Sequence, residues 1–113
     1  MAETCLFCRI GRGELPVPFL AESARCVAFR DISPQAPKHF LVIPREHFNS
    51  LNEISDPSLI GEMMIIARDV AAAEGISDSG YRTVVNTNAD GGQSVGHVHV
   101  HVLGGRKMHW PPG

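Results

Sequence analysis

The run His97-Val98-His99-Val100-His101-Val102-Leu103 constrains this chain more than any other stretch. Strict alternation is the period of a half-buried β-strand, whose successive side chains point to opposite faces. The valines on one face need a core to enter. The three histidines share the other face at intervals of roughly 6.5 to 7 Å. Packing gives no reason for three imidazoles in register, so the strand is expected to carry chemistry. A chain built around it has to supply partner strands and an element that covers the valine face.

The remainder of the 113 residues supplies both. That length fits one domain, read as spanning 1–113, and no repeat, linker or low-complexity tract divides it. CLFCRI at 5–10 reads as a short helix stopped by Gly11 and Gly13. Cys26-Val27-Ala28-Phe29 reads as a strand, hairpinned to the segment around Phe19-Leu20-Ala21 and closed by Asp31. Phe40-Leu41-Val42-Ile43, ended by Pro44, is the short apolar run of a strand buried on both faces. Asp56 is a good N-cap with Pro57 in the first turn. Leu59, Ile60, Met63, Ile66, Ala67, Val70 and Ala71 then recur at helical spacing until Gly75. Tyr81 to Val85 is strand-like, and Asn86 to Ser94 is a polar, Gly-rich loop. The sum is an α+β fold: an antiparallel sheet of about five strands, one long helix over one face and a short N-terminal helix. The tail Gly104 to Gly113 holds too much Gly and Pro for regular structure, and its lone Trp110 suits an interface.

Charge and cysteine usage exclude several classes. A net charge of −2 and a pI near 6.3 argue against a broad electrostatic grip on nucleic acid, so any nucleotide ligand is small and locally held. No apolar run approaches the roughly 20 residues of a membrane span. Met1-Ala2-Glu3-Thr4 begins with acid where a secretory signal carries base, which predicts a cytoplasmic protein. Cys5, Cys8 and Cys26 are an odd number without an export signal, so reduced thiols or a metal site are expected rather than a disulfide framework. Cys26 reads as a buried strand residue. Cys5-Leu6-Phe7-Cys8 has the spacing of half a tetrahedral zinc site, or holds two small apolar residues on a short helix.

Two chemistries compete for the histidine strand. Histidines at i and i+2 can ligate zinc with a third donor and an open fourth position, a hydrolytic metal site. Alternatively an imidazole is itself the nucleophile toward phosphorus, and water later cleaves the phosphorus–nitrogen intermediate. Asp90-Gly91-Gly92-Gln93-Ser94-Val95-Gly96 favours the second, because small residues let backbone N–H groups converge on an anion. By itself a Gly-Gly turn also merely joins two strands. Asp31 reads equally as a turn residue opening the Ser33-Pro34 loop, and His39 as a satisfied structural histidine.

The pattern His-apolar-His-apolar-His-apolar-apolar is the signature of the histidine triad (HIT) family, and His97 to Leu103 fits it completely. FRDISPQAPKHFLVIP at 29–44, GGQSV at 91–95, LGGR at 103–106 and HWPPG at 109–113 resemble the Hint branch. That resemblance implies a HIT-like fold and a phosphoramidase acting on purine nucleoside 5′-phosphoramidates, of the adenosine 5′-monophosphoramidase type. It implies His99 as the nucleophile that displaces an amine from the α-phosphorus, leaving a nucleotidyl-histidine that water hydrolyses to the nucleoside monophosphate. It places His101 on the phosphate oxygens, Ser94 near the leaving nitrogen, and Gly92 and Gln93 on the phosphate. It gives Asp31 to the ribose hydroxyls, Asn86 to another nucleotide contact, and Ile32, Phe29, Phe7, Leu6 and Ile10 to an apolar purine slot. His39 supports the site from behind. No metal is required for this chemistry, since an ordinary imidazole is largely unprotonated at neutral pH and a competent leaving group.

The resemblance further implies a structural zinc on Cys5, Cys8, His47 and His97, with His39 as substitute should His47 point away. It also implies a homodimer in which each tail, including Trp110, approaches the partner's active site. Dinucleoside polyphosphate hydrolysis, nucleotidyl transfer and a nucleotide-binding adaptor with little turnover are the alternatives. One residue departs from the pattern: Gly96 stands where close relatives usually carry an aromatic side chain, which opens a small pocket or changes the angle at which the strand enters.

Overall fold

In the computed structural model the described residues are 4–113. The acidic start Met1-Ala2-Glu3, on which the cytoplasmic expectation partly rested, lies outside them. Helix α1 is Leu6–Gly11, and strands β1, β2 and β3 are Ala21–Glu22, Cys26–Arg30 and Lys38–Pro44. After a single 3₁₀ turn at Leu51–Glu53 come α2 (Pro57–Ala73), β4 (Tyr81–Val84), α3 (Asn88–Gly91) and β5 (Val100–Gly104).

β3 is the centre of the sheet because its residues are apolar on both sides, and Phe40, Leu41, Val42 and Ile43 are all buried. The strands run in the order β1-β2-β3-β5-β4 and every pairing is antiparallel. The register sets Leu41 opposite both Phe29 and His101. One face, formed by Cys26, Ala28, Phe40, Val42, Val100 and Val102, packs on Leu59, Met63, Ala67, Val70 and Ala71 of α2. That helix starts as its sequence predicts: the Asp56 side chain accepts the Ser58 N–H, and Pro57 occupies the first turn. The second face carries Val27, Phe29, Leu41 and Ile43 against Phe7 and Ile10 of α1. By alternation His39 of β3 and His101 of β5 also lie on this second face. The fold is thus α+β, with the histidines under the short helix and the valines under the long one.

Two elements differ from the sequence reading. Regular pairing of the histidine strand begins only at Val100, and His97 sits in a bend. The cause lies in its neighbour: Pro44 has no N–H to continue the ladder, and its carbonyl instead accepts from the His97 ring at 2.8 Å. The Val98 N–H donates to Phe48 at 2.8 Å. Val98 is buried there, and from Val100 onward the valines enter the α2-side core. The Asn86 to Ser94 loop contains the one-turn helix α3, closed by Gly92 at φ 77°, the left-handed cap that favours glycine. Four residues are too few to show a helical period, so the sequence reads as loop.

β5 ends at Gly104 for a packing reason. A Cβ there would stand 2.6 Å from Ile76 Cδ1, so glycine lets the residues after α2 lie on the sheet. Among the described residues no helix is long and apolar enough to cross a membrane.

Candidate functional site

His99 is 3% exposed and held edge-on to Phe7, with ring centroids 5.3 Å apart. Its Nδ1 lies 2.8 Å from the His97 carbonyl oxygen. A carbonyl only accepts, so Nδ1 carries the proton and Nε2 keeps a free lone pair. This tautomer is assigned from the bonding partner, and it is the one a nucleophilic imidazole requires.

The same logic orders the neighbouring pair. The Gln35 backbone N–H donates to His39 Nδ1 at 3.0 Å, which places the proton of a neutral His39 on Nε2. His39 Nε2 then donates to His101 Nδ1 at 2.9 Å. His101 is left with its N–H at Nε2, beside the His99 ring at a centroid distance of 4.8 Å. One acceptor and one donor nitrogen are thereby available side by side. Asp31 stands behind them, its Oδ2 3.4 Å from His39 Nε2 and 3.9 Å from His101 Nδ1. Its Oδ1 accepts the Ser33 N–H at 2.8 Å, so Asp31 closes the turn and faces the histidines at once.

Burial keeps this pair neutral. His101 is pushed down to about 4, first by desolvation and then by repulsion from His99 and His39. His39 is also lowered by burial, with Asp31 partly opposing. An unfolded imidazole takes its proton near pH 6.5, so between about 6.5 and 4 the unfolded chain binds protons that the folded chain refuses. Stability therefore falls as pH drops through that window, by up to about 1.4 kcal/mol per pH unit for His101, and the lowered His39 adds in the same direction. Urea melts of chelated protein from pH 7 to 5 check this, and His101→Asn should flatten the slope. A slope identical in wild type and variant would refute the assignment.

The groove over these residues has a volume of about 200 Å³. Leu6, Phe7, Ile10, Phe29 and Ile32 make its apolar part, and Asp31, Ser94, His99 and His101 its polar end. Leu41 and Val95 also line it, and the sequence reading did not single them out. Leu41 could have been found, because it shares the β3 face with His39. A cavity of about 230 Å³ over the start of α2 is slightly larger. Its Arg25 is already paired with Asp56 and Glu62, so the groove is where unpaired reactive groups converge.

Asn86, Gly92, Gln93 and Trp110 are not among the groove-lining residues of the single chain. Gln93 is occupied locally, since its Nε2 donates to the Asn49 and Val95 carbonyls and its Oε1 accepts the Asn88 N–H at 2.9 Å. That amide fixes the loop between α3 and the triad. Trp110 is 82% exposed.

A second cluster sits on the other side of His97. Cys5 Sγ and Cys8 Sγ lie 3.4 and 3.5 Å from His97 Nδ1, and Cys8 Sγ lies 3.2 Å from His47 Nδ1. With zinc–sulfur and zinc–nitrogen bonds of standard length, a tetrahedral site has sulfur–nitrogen edges of about 3.6 Å. All four donor atoms lie within 4.8 Å of one another. The outer partners fit as well. His97 Nε2–H donates to Pro44 O at 2.8 Å, and His47 Nε2–H to Asn49 Oδ1 at 2.9 Å. Both Nδ1 lone pairs therefore face the sulfurs, the orientation that second partners of metal-bound histidines enforce. Burial, then Cys5, pushes the Cys8 thiol up to about 11, and burial lowers His97 to about 4. The four residues could hold a metal, and His47 needs no substitute because His39 is engaged with His101. A second group on the strand side, Asp31, His39 and His101, also has its donor atoms within 4.8 Å of one another. His97 and His99 turn their Nδ1 atoms to different partners and share no focus. Cys26 is fully buried in the α2-side core, as expected.

Comparison with known proteins places these features in context. A family model described as "HIT domain" matches residues 12–108. An uncharacterized HIT-like protein of Synechococcus elongatus is 45% identical over 115 residues, covering the whole of both chains. The crystal structure of a HIT family hydrolase from Legionella pneumophila is similar with a TM-score of 0.93 and 49% identity, over 97% of this chain and 100% of that one. A HIT family hydrolase from Clostridium thermocellum is similar with a TM-score of 0.91 and 40% identity, over 95% of each chain.

Proposed function

Because the chain belongs to the HIT domain family, we propose that it is a hydrolase cleaving the P–N bond of purine nucleoside 5′-phosphoramidates, acting as a single domain over 1–113. The observation that carries this reading is the hydrogen bond from His99 Nδ1 to the His97 carbonyl, which leaves Nε2 as a buried, aimed lone pair. The purine enters between the apolar walls of the groove, and Asp31 takes the ribose hydroxyls. His99 Nε2 then attacks the α-phosphorus. The bond to the amine breaks with its electron pair, and the amine takes a proton from solvent beside Ser94. His101 Nε2–H donates to a nonbridging oxygen, where negative charge grows in the transition state. In the second step water attacks the phosphorus and the P–N bond to His99 breaks. The nucleoside monophosphate leaves, and the proton released by water passes to solvent. Kinship with proteins described as HIT family hydrolases supports hydrolysis as the outcome.

We further propose zinc at Cys5, Cys8, His47 and His97. Four protein donors leave no open position, so zinc bound there supplies folding energy rather than a reacting centre. The exposed Trp110 supports a homodimer, which solution mass by light scattering decides.

The test is to trap the intermediate. Protein mixed with adenosine 5′-phosphoramidate and quenched in base should carry a nucleotidyl adduct that peptide mass spectrometry maps to His99. Turnover without an adduct at any quench time argues for direct attack by water. Saturable AMP binding with no turnover would favour a nucleotide-binding adaptor.

A further inference from the structure

β5 leaves the sheet beside the start of β3, because the register sets Gly104 opposite Lys38. The next two residues lie against the loop that runs from Asp31 to Pro37. A Cβ on Gly105 would stand 2.9 Å from Pro37 Cβ, and its φ of 89° favours glycine, so this residue lets the backbone turn onto the loop. Arg106 follows. Its Nε and Nη2 both donate to the Gln35 carbonyl oxygen, at 3.3 and 3.0 Å, from 71 positions along the chain. The segment beyond is itself anchored, since Arg82 Nη2 donates to the His109 carbonyl at 2.9 Å.

Arg106 differs from most cations of this chain. Arg25, Arg30, Arg45 and Arg68 each pair with a carboxylate. Among the described residues, Arg106 instead gives its donors to backbone carbonyls, those of Gln35 and Lys107. Its planar fork suits two donors converging on one oxygen. Gln35 is the residue whose N–H meets His39 Nδ1 at 3.0 Å. Its side-chain Nε2 donates to the Ser33 carbonyl, a bond that stays within the loop. The hold on the Gln35 backbone from a distant part of the chain is therefore Arg106.

We propose that Arg106 is a positioning residue for His101: by fixing the Gln35 peptide it sets the tautomer of His39 and, through that ring, the proton on His101 Nε2. With Gln35 in place, His39 keeps its proton on Nε2 and donates to His101 Nδ1 at 2.9 Å. Without the Gln35 N–H, His39 is free to carry its proton on Nδ1 and turn a bare Nε2 toward His101. His101 then needs its own proton on Nδ1 to keep that hydrogen bond, and its Nε2 becomes a lone pair. Each neutral ring still carries one proton, on its other nitrogen. Asp31 Oδ2, 3.4 Å from His39 Nε2 and 3.9 Å from His101 Nδ1, faces the shared proton in either arrangement and does not choose between them. The consequence for rate rests on the phosphoramidase reading, in which a donor at His101 Nε2 stabilises charge growing on a phosphate oxygen and a lone pair there repels it.

The test reads the ring directly. In ¹⁵N spectra of labelled protein at neutral pH, wild-type His101 should show a protonated Nε2 and an unprotonated Nδ1. In Arg106→Ala both nitrogens should shift toward the opposite assignment. For adenosine 5′-phosphoramidate kcat should fall about tenfold with KM changed by less than about twofold, because the lost hydrogen bond acts on the transition state. Lys107→Ala, on the same exposed turn, should alter neither readout, and Arg106→Met serves as a second variant should the alanine protein melt early. A His101 spectrum unchanged in folded Arg106 variants overturns the positioning role. A changed spectrum with kcat intact upholds it and instead removes the His101 donor from the proposed chemistry. Wild-type protein that releases no AMP sinks the phosphoramidase reading, while the spectra still decide what Arg106 does to His101.

Discussion

Replacing His99 by alanine is expected to lower kcat/KM for adenosine 5′-phosphoramidate by at least about 10³-fold, the scale on which loss of a covalent nucleophile is felt. The size follows from what remains. His101 still offers a donor to phosphate oxygens and the groove still binds the nucleoside, so ground-state affinity for AMP should change little. The path through a phosphorus–nitrogen intermediate is gone, however, and water would have to attack directly with no base in place. The ring is buried against Phe7, so truncation also leaves a cavity. A thermal melt beside the rate measurement separates lost chemistry from lost folding. Release of AMP by the variant within tenfold of wild type would remove His99 from the nucleophile's role. Loss of wild-type turnover on chelation, with the fold intact, would instead move the chemistry to a metal.

Much of this site was legible in the chain because its elements have the periods that packing imposes. The alternation from His97 to Leu103 separated a packing face from a chemical one, and within β5 Val100 and Val102 pack under α2 while His101 lies on the other face. The helix from Pro57 was legible because its cap and its apolar stripe are both local signals. What escaped was decided at long range. That His97 leaves the ladder depends on a carbonyl 53 residues away, at a proline with no N–H to offer. The tautomer of His101 depends on Gln35, through His39, and no periodicity links those three. Gln93 illustrates the opposite limit. The Gly-Gly-Gln-Ser stretch marks a phosphate loop, yet the same amide is spent on loop closure against Asn49 and Val95.

The four-residue Cys/His cluster should have a large effect on stability. Cys5→Ser and Cys8→Ser proteins are each expected to purify with little zinc. Their melting temperature should fall about 15 °C below that of zinc-replete wild type. That figure follows from linkage: a ligand at about a thousand times its Kd stabilises the folded state by roughly 4 kcal/mol. In a domain of this size each kcal/mol moves the melting point by about 4 °C. Chelator should lower the wild-type melting point and leave both variants where they are, which separates a lost cation from a merely altered thiol. Zinc-free wild type, grown with ample zinc and unmoved by chelator, would reduce Cys5 and Cys8 to thiols hydrogen-bonded to two imidazoles. The consequence reaches the groove because α1 has only six residues, too few to be stable alone. Phe7 and Ile10 are buried on that helix, and with Leu6 they wall the groove. Loss of the cluster should therefore raise the KM for the nucleotide more than it lowers kcat, since the wall loosens while the His99 to His97 bond lies within one short stretch of backbone.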